Sequence, residues 1–146
     1  MSYELEKSLG FKINQTANKL NNKYNQLLQS FDIAPEQRAT LEIIKYETDV
    51  NQTKIAQILG KDKTTISRTL NTLEKKGFIL KSQINKRTNL IELSSKGEEI
   101  LEKSSFLVKE FRKKLASNLN ENEINQLFSL LEKVVSHLKE EKWKKE

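Results

Sequence analysis

The sequence predicts a mainly α fold with one small β-hairpin. One proline and four glycines interrupt the 146 residues, so long helices can continue with few breaks. Apolar residues recur three or four positions apart over most of the chain, which is the period of a helix that buries one face. The period changes once, between residues 79 and 94, where two short apolar runs flank a polar tip.

Length and composition indicate a single cytoplasmic domain, residues 1–146. The chain has no cysteine, which excludes disulfides, thiolate metal sites and thiol-based redox sensing and suits a reducing cytosol. No apolar run approaches the roughly 18 residues needed to cross a bilayer, and the N-terminus lacks a signal-peptide pattern. With His137 as the single histidine, we expect no catalytic triad, no metal and no cofactor.

The first predicted helix runs from about Tyr3 to Ser30 and carries an apolar seam. Such a helix is about 40 Å long at 1.5 Å per residue, which is more than a small core covers, so part of the seam needs another partner. The segment from Asp32 to Pro35 ends this helix, and Pro35 opens the second one. The seam consists of Leu5, Leu9, Ile13, Ala17, Leu20, Tyr24, Leu27 and Phe31.

The residues on either side of Gly60 have the spacing of a helix-turn-helix, which we place at about residues 52–75. Two short helices that cross steeply need a small side chain where they approach, and Ala56 supplies it. Four residues later the turn needs a residue that tolerates positive φ, which is Gly60. Ile66 then fills the gap between the helices, and Asp62 can cap the second one.

The second of these helices carries polar and basic side chains on its outer side. Residues 52–88 contain nine basic and two acidic residues, a local charge of +7 in a chain whose total is +6. Such a surface favours a polyanion, and nucleic acid is the commonest one; a solvated lysine-rich surface is the alternative. Arg68 and Asn71 are the candidates for base reading, helped by Thr65 and Ser67. The candidates for positioning phosphates are Lys54, Lys63, Thr64 and Lys75.

A β-hairpin follows, with strands expected over residues 78–84 and 89–93. Its polar tip contains Lys86 and Arg87, which can enter a minor groove or bind its phosphates. Basic residues at a hairpin tip are common on other proteins too. Their position directly after a helix-turn-helix is what makes these two candidates for DNA binding.

Two amphipathic helices are predicted after the hairpin. The first begins at a capping box, in which Ser95 and Glu98 accept hydrogen bonds from each other's backbone amides. The second begins at a similar pair, Asn120 and Glu123. The terminal segments whose apolar seams lack an evident partner are residues 1–31 and 96–146.

These features together resemble the MarR family of bacterial regulators over nearly the full length of the chain. The stretch from Thr69 to Ile79 closely matches the family's passage from recognition helix into wing. The order of the predicted elements agrees as well. Shorter stretches that are similar to the family are Ser8–Phe11, Ala34–Gln37, Gln52–Ala56 and Leu93–Gly97.

The resemblance implies a homodimer whose terminal helices, residues 1–31 and 96–146, interlace. It implies that two winged helix-turn-helix heads, residues 33–95 with the wing at about 79–94, bind a pseudo-palindromic operator in double-stranded DNA. It also implies that a small aromatic or phenolic ligand can bind between these helices and the head, at residues that we leave unassigned. On this interpretation the protein is a repressor of transcription that a ligand releases.

The chain departs from the family pattern in the wing and in the second helix. The family's wing usually carries Asp-x-Arg, in which the carboxylate orients the arginine. Here Asn85 precedes Lys86 and Arg87, so an amide gives uncharged support to Arg87, and the wing is slightly shorter. Arg38 stands where an aromatic residue is frequent, and it either alters the ligand pocket or faces solvent.

Two other functions stay open. A helical regulator with this fold could bind a protein partner, and salt-sensitive retention on DNA distinguishes it from a DNA-binding regulator. A non-specific nucleic-acid-binding protein is the second alternative, and competition between its own upstream region and random duplex identifies it. An enzyme is the least expected class.

Overall fold

The computed structural model describes residues 3–83, 85 and 89–138. It confirms the mainly α fold with one two-stranded hairpin. Two compact units divide between Leu107 and Val108, within the long fifth helix. The elements in chain order are α1 (Leu9–Leu28), α2 (Pro35–Tyr46), α3 (Gln52–Leu59), α4 (Lys63–Lys75), β1 (Ile79–Gln83), β2 (Asn89–Leu93), α5 (Ser95–Ala116) and α6 (Glu121–Val135).

The N-terminal helix is shorter than predicted. Ser8 has extended backbone, and its hydroxyl accepts a hydrogen bond from the Phe11 backbone N–H at 3.2 Å, so α1 begins at Leu9. Residues before Ser8 form a separate 3₁₀ turn, Glu4–Lys7, and another, Gln29–Phe31, follows α1. The prediction of one helix from residue 3 to residue 30 was wrong because a serine cap competes with the continuing apolar period.

Arg38 is buried, which corrects the expectation that it could face solvent. The side chain lies on α2, and the residue is 3% exposed. Its Nε donates to the Ser104 hydroxyl at 2.8 Å, its Nη1 to the Glu42 carboxylate at 3.0 Å and its Nη2 to the Leu101 carbonyl at 3.4 Å. Because a buried guanidinium needs such partners, Arg38 links α2 to the N-terminal half of α5.

The hairpin is antiparallel, with Ile79 opposite Leu93 and Gln83 opposite Asn89. β1 contacts α4 and β2 contacts α2, so the hairpin is attached to the head at its base. Both strand assignments agree with the predicted hairpin, although β1 begins one residue later than predicted, at Ile79. Ile84 lies outside the described residues.

α5 starts differently from the prediction. Ser94, not Ser95, is the cap: its Oγ accepts a hydrogen bond from the Gly97 backbone N–H at 3.0 Å. Position 97 requires glycine because the Phe78 backbone lies against it: a Cβ there would be 2.0 Å from the Phe78 carbonyl oxygen. The start of α5 is thereby held directly against the residue that precedes β1.

The first compact unit, which ends at Leu107, has an apolar core. It combines residues from α1, α2, the helix-turn-helix, the hairpin and the first turns of α5. The buried apolar residues of this unit are Leu28, Ile33, Leu41, Ile44, Ile55, Ala56, Ile66, Leu70, Leu73, Phe78, Ile79, Ile91 and Leu101.

Helix α6 begins at the predicted capping box. The Glu123 backbone N–H donates to Asn120 Oδ1 at 2.8 Å, and the Asn120 N–H donates to Glu123 Oε1 at 3.0 Å. None of its residues is buried. Within the described part of the chain, no helix is apolar over a length that could cross a membrane.

Candidate nucleic-acid interface

The turn between α3 and α4 has the predicted geometry. Gly60 adopts φ 67°, in the left-handed region that favours glycine. Asp62 caps α4 by accepting a hydrogen bond from the Thr65 N–H at 2.7 Å. This hydrogen bond is the largest cause that lowers the pKa of the Asp62 carboxyl below its ordinary value. Ala56 and Ile66 are buried, as the motif requires.

Hydrogen bonds from three directions fix the orientation of α4. The Gln52 amide at the start of α3 donates to the Lys63 carbonyl at 2.7 Å. The Thr69 hydroxyl donates to the Glu36 carboxylate on α2 at 2.8 Å. At the other end, the Lys76 ammonium donates to the Asp32 carbonyl at 2.7 Å. The helix is therefore held at both ends and in the middle, as a rigid reading element needs to be.

Helix α4 divides into a buried face and an outward face. Ile66, Leu70 and Leu73 are at most 2% exposed. Because positions three or four apart share a helix face, the polar residues between them form a row on the outer side. The members of this row are Lys63, Thr64, Ser67, Arg68, Asn71 and Lys75, and all are exposed except the half-buried Ser67.

Thr65 and Lys54, two further residues of the predicted site, are less accessible than the exposed members of this row. Thr65 is half-buried, as Ser67 is. The Lys54 ammonium is 3.5 Å from the Glu47 carboxylate and donates to the Thr48 carbonyl at 2.5 Å. Local acceptors on the loop before α3 thus already occupy Lys54.

Lys81 is a residue of this surface to which the sequence reasoning gave no role. It lies on β1 opposite Ile91, and its ammonium donates to Asn71 Oδ1 on α4 at 2.8 Å. The Glu74 carboxylate, also on α4, is 3.8 Å from the same nitrogen. Only the packing of β1 against α4 makes this contact, so no local spacing could have indicated it.

Lys86 and Arg87, the predicted wing contacts, lie outside the described residues. Their role stays a prediction. No group of three potential ligands that could hold a metal occurs among the residues the structure describes.

Comparisons with known proteins agree with this architecture. A model described as the MarR family matches residues 33–88, a range that includes α2, α3, α4 and β1. An HTH-type transcriptional regulator of Bacillus cereus is 31% identical over 121 residues, which are 82% of each chain.

Solved structures agree over still more of the chain. A MarR/EmrR family transcriptional regulator from Acinetobacter sp. ADP1 has a TM-score of 0.86 and 32% identity over 95% of this chain and 100% of its own. MepR of S. aureus, in a complex with DNA, has a TM-score of 0.81 and 27% identity over 92% of this chain and 99% of its own. The chain belongs to the MarR family and is a winged helix-turn-helix transcriptional regulator.

Proposed function

We propose that this regulator binds a pseudo-palindromic operator as a homodimer, with α4 of each head in a major groove. The main support is the outward row of α4, which presents Lys63, Arg68 and Asn71 on one exposed face of a helix that is fixed at both ends. Arginine and asparagine can bond bidentately to base edges, and lysine and hydroxyl groups bind phosphates. That MepR is solved with DNA supports the same partner for this chain.

The exposed apolar seams of the terminal helices support the homodimer. On α1, Leu9 is 68% and Ile13 37% exposed, and on α6, Leu127 is 44% and Leu131 40% exposed. Leaving such rows in water is unfavourable by roughly 25 cal/mol per Å² of apolar surface. A second copy of the chain, with the same two seams, is a self-complementary partner.

We further propose that the protein represses transcription in the cytoplasm until a small ligand releases it. A groove of about 620 Å³ opens between α1, α2 and the turn after α3. The Glu36 carboxylate in its wall accepts a hydrogen bond from the Thr69 hydroxyl of α4, and its Oε2 lies 3.6 Å from the Lys61 ammonium nitrogen. A ligand whose phenolic hydroxyl donates a hydrogen bond to Glu36 there competes with the Thr69 contact that holds α4.

A binding experiment with DNA that flanks the protein's own gene tests the proposal. Footprinting locates the site, and affinity is compared with that for random duplex of equal length at one fixed salt concentration. We expect at least about 1000-fold tighter binding to the flanking site. Equal affinity for both duplexes would identify a non-specific binder, and no salt-sensitive retention would favour the protein-binding alternative.

Replacing Arg68 by alanine tests base reading directly. We expect the preference for operator over random DNA to fall by about 1–3 kcal/mol, at one position in each half-site. Equal weakening on both DNAs would mean that Arg68 binds only phosphate.

Repression and release are tested with a reporter under the flanking promoter, using salicylate as a phenolic anion probe.

A further inference from the structure

We propose that Lys81 of the wing is a specificity-positioning residue: it fixes the side-chain amide of Asn71 in one orientation for base reading. The inference rests on the proposed function, since it concerns how α4 reads an operator. On this proposal a residue of β1 contributes to the sequence preference of the recognition helix α4, although β1 itself need not touch a base.

The chemistry of the contact determines how the amide is turned. An ammonium group has three donors and no acceptor, so only the amide oxygen of Asn71 can face it. The distance from Lys81 Nζ to Asn71 Oδ1 is 2.8 Å, an ordinary charge-assisted hydrogen bond. With the oxygen held, the NH₂ group of Asn71 has a fixed direction, and it has no hydrogen-bond partner among the described residues.

An asparagine without such a partner can turn its amide by half a rotation and exchange donor for acceptor. Base reading depends on that choice, because a purine N7 accepts a hydrogen bond whereas the adenine N6 amino group donates one. The contact with Lys81 removes the exchange before DNA arrives. Asn71 then offers its donor at a fixed place, while one lone pair of its oxygen stays available for a bidentate contact.

The surroundings of the ammonium support positioning over direct phosphate binding. The Lys81 side chain is 30% exposed and reaches from the wing back to α4. Its nitrogen lies between Asn71 and, at 3.8 Å, the Glu74 carboxylate. Lys81 thereby also offsets the charge of Glu74, one of the two acidic residues between positions 52 and 88 and otherwise repulsive toward phosphate.

The test is a double-mutant cycle in which the measured quantity is the preference for the operator over DNA with single base-pair changes. Wild type, Asn71→Ala, Lys81→Met and the double variant are titrated against the operator, against operators with single base-pair changes, and against random duplex. We expect Asn71→Ala to lose about 5- to 150-fold discrimination at one base pair of each half-site. Lys81→Met should lose part of that discrimination, up to about 10-fold and no more than Asn71→Ala loses, at that same base pair. The double variant should resemble Asn71→Ala, because the two side chains act as one unit.

Three controls separate positioning from loss of charge or of fold. Lys81→Arg retains donors toward Asn71 and should keep most of the preference. Lys103→Met removes one positive charge from an exposed ion pair on α5 and should change no base preference. The midpoint temperature of thermal unfolding of Lys81→Met should match that of wild type within a few degrees. A changed base preference then reflects the Asn71 contact and not a loss of fold.

Two results would overturn the inference. If Lys81→Met weakens operator and random DNA equally and lowers the salt slope by about one, Lys81 binds a phosphate. If its effect adds to that of Asn71→Ala, the two residues act separately. A wild-type protein with no preference among the operator variants would instead contradict the proposed function itself, whatever Lys81 does.

Discussion

Helices α4 and α6 follow the same local rules but differ in what covers their apolar sides. Each is amphipathic and begins at a side-chain cap, Asp62 for α4 and Asn120 for α6. The apolar face of α4 is buried in the head, whereas α6 has no buried residue. The helical period therefore identifies a face that must be covered, but it does not indicate whether the same chain covers that face.

Charging the apolar face of α6 is expected to have the largest effect. In the double variant Leu127→Asp, Leu131→Asp, the proposed dimer would bury two carboxylates from each chain in apolar surroundings, so the dimer dissociation constant should rise at least about 100-fold. Analytical ultracentrifugation measures it, and circular dichroism checks that the helices persist. Ser129→Asp adds charge to the polar side of α6 as the control. A wild-type protein that is monomeric at micromolar concentration would contradict the proposed dimer.

Truncating the covered face of α4 is expected to destabilise the head. Ile66 is fully buried, so Ile66→Ala should lower the free energy of unfolding by about 2–4 kcal/mol. Leu80 on β1, which is 58% exposed, is the matched control, and Leu80→Ala should cost less than about 1 kcal/mol. Urea unfolding measures both. Equal costs would mean that the division into covered and uncovered faces is wrong.

The outward face of α4 can be compared with α3 through two lysines. Lys63 is exposed and has no ion-pair partner within the described ranges, whereas Lys54 is bound to the loop before α3. Lys63→Gln should therefore lower the slope of log affinity against log salt by about one. Lys54→Gln should lower it less. The reverse order would show that Lys54 leaves its loop partners when DNA binds.

The smallest expected effect is the pH dependence of the Asp62 cap. The folded-state pKa of Asp62 is lowered, so its contribution to stability is present above the unfolded value of about 3.8 and is lost as pH falls through the folded value. The Asp62→Asn variant keeps a cap acceptor that does not titrate. Its free energy of unfolding should approach that of wild type in acid. A difference that does not change with pH would mean that the Asp62 charge has no role in the cap.

Local signals were sufficient for most of the head. Ala56, Gly60, Asp62 and Ile66 meet steric and hydrogen-bonding demands that act within a dozen residues, so the helix-turn-helix could be predicted from spacing. Pro35 similarly determined where α2 begins. Where local rules competed, prediction failed: at Ser8 a hydroxyl cap ended a helix that the apolar period would have continued.

Contacts between distant elements were outside the reach of such rules. Arg38 and Ser104 are 66 residues apart in sequence, and nothing in the neighbourhood of either indicates a buried hydrogen bond. The same holds for Lys81, whose partner Asn71 was predicted as a reader of bases without the residue that orients it. Similarly, spacing alone did not indicate that Lys54 would bind back to its own loop.

By itself, the sequence determined the order of the elements, the turn at Gly60 and the polar row on α4, because these depend on backbone sterics, caps and the helical period. Only the tertiary structure decided which cations are available, which amide is oriented and which apolar faces stay uncovered. The reason is physical. A hydrogen bond or an ion pair forms only where packing brings its two groups within about 3–4 Å, and for groups on different elements that proximity depends on the whole fold.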